Sequence, residues 1–228
     1  MKPTVARRLT KTRFWPHIKS AASTLVFVWF FTHHIAQATM VPTESMVPTI
    51  LVGDHFMLDK VAFPANYPEF LHDVLPERTI HRADIVAFWS PEVSDLRLVK
   101  RVIGLPGETL EIREGDIYIN GDKLNEPYTV HTLQPLFRQL QNVPPLTIPD
   151  DSFFMMGDNR DNSRDSRYFG VVSHRALIGK PLFIYWSYEI YPYPAGGRSI
   201  GQWAEYYASV ATHFVTRTRW MRTGTVLR

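Results

Sequence analysis

The chain contains no cysteine. That excludes disulfides, thiol nucleophiles and thiolate metal sites, and leaves the redox compartment open. No spacing of His, Asp and Glu reads as a metal centre. Internal repeats and low-complexity tracts are also missing. Acidic residues are absent until Glu44, whereas Lys2, Arg7, Arg8, Lys11, Arg13 and Lys19 all precede it. A second basic cluster, Arg217, Arg219, Arg222 and Arg228, closes the chain, so a net charge of only +3 hides two basic ends. Such ends suit a nucleic acid or a membrane surface. The remainder is globular in character. With 228 residues, 45% of them hydrophobic and 13% aromatic, the chain holds one moderate domain with appendages.

Residues 21–41, AASTLVFVWFFTHHIAQATMV, carry no Asp, Glu, Lys or Arg. As one helix this run reaches about 30 Å, enough to cross a hydrocarbon core. Thr32, His33, His34 and Gln37 weaken its second half. Three readings compete: a membrane anchor, a cleaved secretory signal ending in the AQA at 36–38, and a buried core helix. The long basic leader and the unbroken continuation into MVPTESM favour the anchor. The positive-inside rule then places residues 1–20 in the cytoplasm and everything after about residue 42 outside.

Beyond the anchor the pattern is mostly β, and antiparallel. Strand-like runs occur at 55–63, 84–90, 96–104, 152–157 and 176–187, rich in β-branched and aromatic residues. ETLEIREGDIYING reads as a hairpin turning at EGD. Prolines fall between or at the ends of these runs. The expected β-rich unit is 42–188, with 121–151 a loop-like insertion. The tail 189–228 contains a possible amphipathic helix at 202–215, where Trp203, Tyr206, Tyr207, Val210 and Phe214 recur at helical spacing. It either lies on a membrane surface or packs on the β-domain.

Within DLRLVKRVIGLPG, alternation puts Leu98, Lys100 and Val102 on one face of a strand and Arg97, Val99, Arg101 and Ile103 on the other. The face with two arginines is expected to reach water. Lys100 has only apolar neighbours on its own face. Either its stem covers apolar surface while its head snorkels out, or its ammonium is desolvated and its pKa falls. A neutral lysine is a base, and a base requires a nucleophile. Ser45, in MVPTESMVPT between Pro42 and Pro48, is a candidate; by itself it also reads as an ordinary surface serine. The third element is MGDNRDNSRDSRYFG at 156–170. It is a solvated loop of weak ion pairs, or a set of groups that orient one another beside a site.

In order along the chain, SMVPT, the GD at 53–54, LVKRVIGLPGE and GDNRDNSRDSRYFG resemble the successive boxes of type I signal peptidases (leader peptidases). The resemblance covers roughly 38–188; residues 121–151 and the last forty match loosely. It implies a membrane-anchored Ser–Lys serine endopeptidase with Ser45 as nucleophile and Lys100 as general base. It further implies that Ser163 aims the lysine amine, that Asp165 and Arg167 pair to hold the loop, and that Gly157 leaves room beside the lysine. The backbone N–H of Ser45 and the hydroxyl of Thr43 are the implied oxyanion hole. The implied substrate is an exported preprotein bound as an added strand and cut after a small-x-small site. Val41, Leu98 and Val99 are the expected pocket walls, with Met46 and Ile50 as contributors.

No cofactor, metal or nucleic acid is expected, and a monomer in the bacterial inner membrane with its catalytic domain on the periplasmic side is. The AQA at 36–38 would then be a candidate self-cleavage site. Three alternatives share some of these features. A repressor-cleaving autoprotease would need a DNA-binding domain, which residues 1–41 do not resemble. A mitochondrial inner-membrane peptidase shares fold and dyad. A tethered β-domain that binds peptides without cutting would not need Ser45, Lys100 and Ser163 together.

Overall fold

The structure is a computed structural model and describes residues 15–63, 78–131, 141–189 and 199–227. Most of the expected basic leader, the middle of the 121–151 segment, the first part of the tail and Arg228 lie outside the described residues. Helix α1 (Trp15–Phe30) leads through a π turn (Phe31–Ile35) into strand β1 (Ala36–Met40). Strands β2 (Asp54–Asp59), β3 (Ile85–Trp89), β4 (Arg97–Gly104), β5 (Thr109–Arg113), β6 (Asp116–Ile119) and β7 (Asp122–Lys123) follow. After them come β8 (Val143–Thr147), β9 (Ser152–Met156), the short α2 (Ser166–Phe169), β10 (Val172–Ser173), β11 (Leu177–Ser187) and α3 (Ile200–Arg217).

Two sheets result, ordered β1-β2-β11-β3-β4-β9-β10 and β7-β6-β5-β8. Every pairing between these strands is antiparallel, as the sequence predicts. Strand β11 makes this possible by shifting register, so that Lys180–Ser187 pairs with β2 and Leu177–Gly179 with β3. The small sheet owes its connections to two tight turns. Glu114-Gly115 and Asn120-Gly121 all have positive φ (51°, 92°, 53° and 93°), the backbone that matches the twist of a two-residue hairpin. Side chains from alternate positions fill three cores. One holds Val41, Met46, Ile50, Phe56 and Ile184, the second Val86, Phe88, Val102 and Phe153, and the third Ile103, Leu110, Ile117 and Phe154.

Three expectations need correction. The run 21–41 is not one helix: α-helical backbone stops at Phe30, the π turn carries on to Ile35, and Ala36 adopts extended angles (φ −144°, ψ 135°). Pairing with β2, Ala36 opposite Asp59 through Met40 opposite His55, satisfies the backbone groups that a longer helix would otherwise have bonded. Among the described residues no helix is long and apolar enough to cross a membrane. The 121–151 segment is not all loop either, because β7 closes the hairpin and β8 pairs with β5. The tail helix forms and is longer than expected, opened by a capping box between Ser199 and Gln202.

Candidate active site

Ser45 sits in the loop between β1 and β2, where Val47 N–H donates to Glu44 C=O (3.1 Å) and Ile50 N–H to Met46 C=O (2.8 Å). The anchors of that loop are apolar: Met46 and Ile50 are fully buried. Ser45 itself is 7% exposed, and its Oγ lies 3.4 Å from Thr43 Oγ1. Its carbonyl accepts from Asn159 N–H at 3.1 Å. Neighbouring Glu44 receives the Asn159 amide on its carbonyl (3.3 Å) and the Asn162 amide on its carboxylate (3.1 Å). The GDNRDNS segment therefore holds the serine loop directly.

Lys100 projects from β4, opposite Val86 of β3, and is 3% exposed. Desolvation lowers its pKa from 10.5 to about 8; Arg167 adds to the drop, and Asp165 and Asp158 oppose it. At about 8, roughly a tenth of the side chain is neutral at pH 7, against one part in about two thousand at the ordinary value. The burial corresponds to about 3 kcal/mol of preference for the amine.

On its other side β4 pairs with β9, Arg101 opposite Met156 and Val102 opposite Met155. Continuing that register by one residue sets Lys100 opposite Gly157. A Cβ on Gly157 would stand 2.3 Å from Ser163 Oγ and 2.4 Å from the Ser45 carbonyl oxygen. Only hydrogen fits there. Gly157 is thus the point at which the serine loop, the lysine strand and Ser163 meet. Ser163 is fully buried, and its Oγ has no hydrogen-bond partner among the described residues, a costly state.

The Ser163 loop is held by a buried ion pair. Arg167 donates from Nε (2.8 Å) and a terminal nitrogen (2.9 Å) to Asp165. Asp165 also accepts from Gly157 N–H at 3.1 Å, and Arg167 reaches the carbonyl of Arg160 at 2.6 Å. The sequence is matched over residues 14–186 by the family of signal peptidases, peptidase S26. The chain belongs to that family. Signal peptidase I of Leptolyngbya laminosa is 32% identical over 74% of this chain and 78% of its own length. A probable signal peptidase I-1 of Synechocystis sp. is 32% identical over 70% and 76%. Signal peptidase I of Pseudomonas aeruginosa is 30% identical over 75% and 72%. Like the rest of the signal peptidase family, this chain is a serine endopeptidase.

Of the expected pocket residues, Leu98 and Val99 are half-buried. Among the described strands, the edge of β4 facing away from β3 is unpaired over Arg97–Lys100. Val41, Met46 and Ile50 differ from expectation. They belong to the core under the loop, and half-buried Val99 packs against them. Arg101 is a further correction. Arg97 on the same face is exposed as expected, but Arg101 does not reach water: its guanidinium is buried, donates to Asp158 at 2.8 and 2.7 Å, and lies 4.1 Å over the Tyr128 ring.

That pair extends the site beyond what sequence reasoning found. Asp158 accepts from Thr49 Oγ1 in the serine loop, linking the loop to the residue next to Lys100. Arg160 donates twice to Glu126 (2.7 and 2.5 Å), and Tyr128 OH donates to the same carboxylate at 2.9 Å. Asp54, of the GD at 53–54, is fully buried. It accepts from Leu51 N–H (2.8 Å), Ser187 Oγ (2.6 Å) and Arg222 (3.1 Å from Nε), while Arg222 also donates to the Thr49 carbonyl at 2.9 Å. The charge balance of the GDNR run was the visible signal for Asp158 and Arg160, and the GD box for Asp54. Their charged partners are 34 to 168 residues distant.

Proposed function

We propose that this chain removes signal peptides from exported preproteins by a Ser45–Lys100 dyad, cutting after a small-x-small site. The observation that carries the reading is Gly157, packed against both Ser45 and Ser163 and level with Lys100. Neutral Lys100 takes the Ser45 proton as Oγ bonds to the scissile carbonyl carbon. The resulting oxyanion is met by the Ser45 N–H and the Thr43 hydroxyl, a pair of donors each worth about 3 kcal/mol. Lys100 ammonium then gives the proton to the leaving amine, and the acyl-enzyme is hydrolysed by water that Lys100 deprotonates in turn. Ser163 holds the amine in line from its buried position.

The substrate lies extended along the unpaired edge of Arg97–Lys100, with Leu98 and Val99 against its small side chains. Attachment to the membrane runs through α1. None of its residues is buried, and Leu25, Val26, Phe27 and Trp29 are at least 61% exposed, an apolar surface without cover in a protein of this size. The basic leader stays on the cytoplasmic side and the β-domain faces the outer side.

A test preprotein with an Ala-x-Ala site, incubated with the enzyme in detergent or lipid, distinguishes the readings. Cutting after the second Ala, lost in Ser45→Ala and in Lys100→Ala, supports the dyad and the substrate class together. Peptide binding without cutting by the wild type would favour a tethered binding module instead.

A further inference from the structure

Strand pairing puts Met40 opposite His55 and His55 opposite Trp186, so these three side chains share one face of the large sheet. Helix α3 crosses that face. Between them lies a cavity of about 360 Å³ whose lining includes Ala38, Met40, His55, Trp186, Trp203 and Tyr207. The rings are ordered: His55 stacks on Trp186 at 4.7 Å and Trp203 on Tyr207 at 5.8 Å. Among the described residues no Asp, Glu, Lys or Arg lines the space, and His55 Nε2 and Thr39 Oγ1 are buried without hydrogen-bond partners. A charged occupant would find no counter-charge, and an apolar one finds ring faces on two sides.

The position of the cavity identifies the occupant. β1 is the outermost strand of its sheet, and its free edge runs directly into the loop that carries Ser45. Successive antiparallel pairings through β2, β11 and β3 make β1 and β4 parallel to each other. A peptide laid along them has one of two directions. The enzyme's own chain reaches β1 from the apolar helix α1, and a signal peptide likewise reaches its cut site from an apolar segment. Both chains leave the bilayer and head for Ser45, so the substrate runs parallel to β1. Its residues upstream of the scissile bond then pass Met40 and Ala38. Met40 and Ala38 precede Ser45 by five and seven residues, so with one residue per position they lie beside substrate residues about five to seven before the bond.

Building on the function proposed above, we propose that the cavity between α3 and the sheet is a specificity site. It takes one apolar side chain of the signal peptide, about five to seven residues before the cut. Recognition there requires a large uncharged side chain, in contrast to the small residues required next to the scissile bond.

The test uses the full chain in detergent micelles and a series of preproteins with Leu, Ala or Asp at each of these positions. At one position Leu is expected to exceed Ala about tenfold in kcat/KM, with Asp lowest. Ala38→Trp, which fills the cavity, brings the ratio of Leu to Ala close to one. Tyr207→Ala enlarges the cavity from the α3 side and moves the preference from Leu to Phe or Trp. Equal kcat/KM across the whole series overturns this inference alone, since the enzyme still cuts. A Leu preference that survives unchanged in both variants does the same. A wild type that cuts no member of the series overturns the proposed function with it.

Discussion

Ser163 Oγ lies 2.3 Å from the point that a Cβ on Gly157 would occupy, and the carbonyl oxygen of Ser45 lies 2.4 Å from it on another side. Neither neighbour is the loose end of a long side chain. One is the backbone of the serine loop, and the other is a fully buried residue.

Gly157→Ala must therefore push the two apart. A displacement on the order of 1 Å near reacting atoms costs about a hundredfold, and overpacking costs about 1–3 kcal/mol of stability. Steady-state kinetics on a peptide substrate should show kcat falling by at least that factor, with a fold still evident by circular dichroism.

Lys100 sets the pH dependence. Its amine is active when neutral, and its pKa is about 8, so kcat/KM should rise about tenfold per pH unit below that value and level off above it. A pH–rate profile checks this directly. Lys100→Arg, which stays charged throughout, should have no measurable rate on the same scale.

The same burial has a cost in stability. A lysine whose folded pKa is depressed binds fewer protons folded than unfolded between about 8 and 10.5, so stability rises with pH across that window. Below it the penalty of burying the ammonium is present in full. Lys100→Met should thus be more stable than the wild type by up to about 3 kcal/mol at pH 7. Denaturant titrations at pH 7 and pH 10.5 should show that advantage shrinking towards zero.

The Ala36-Gln37-Ala38 sequence should not be cut in the folded enzyme. Ala36 pairs with Asp59 and Ala38 with Met57 inside the sheet, and the scissile bond would have to leave that ladder to reach a serine seven residues downstream. Prolonged incubation at high enzyme concentration should leave a single intact mass. A fragment beginning at Thr39 would show that β1 detaches.

The strands and the hairpin were legible because their signals are local, period-two alternation and a turn dipeptide, and the boxes that carry Ser45, Lys100 and Ser163 stood out by their defined order. Two kinds of feature were not. The end of α1 depends on β2, which lies beyond the loop carrying Ser45, and no apolar run announces that its last residues will be a strand. Arg101 was misread for a related reason. Alternation assigns it a face, but only the folded chain shows that Asp158 and Tyr128 wait on that face. The GDNR run looked self-contained in its charges, yet Arg160 turns to Glu126 and Asp158 to Arg101.

Arg222 bonds the Thr49 carbonyl across 173 residues of sequence, and it bonds Asp54 beside it. In order of synthesis, then, the serine loop is among the first parts of the β-domain to be made, and its support is among the last. A nascent chain that has passed Ser187 already carries Ser45, Lys100 and Ser163. Its buried Asp54 still lacks its guanidinium partner, so assembly of a working site awaits the tail.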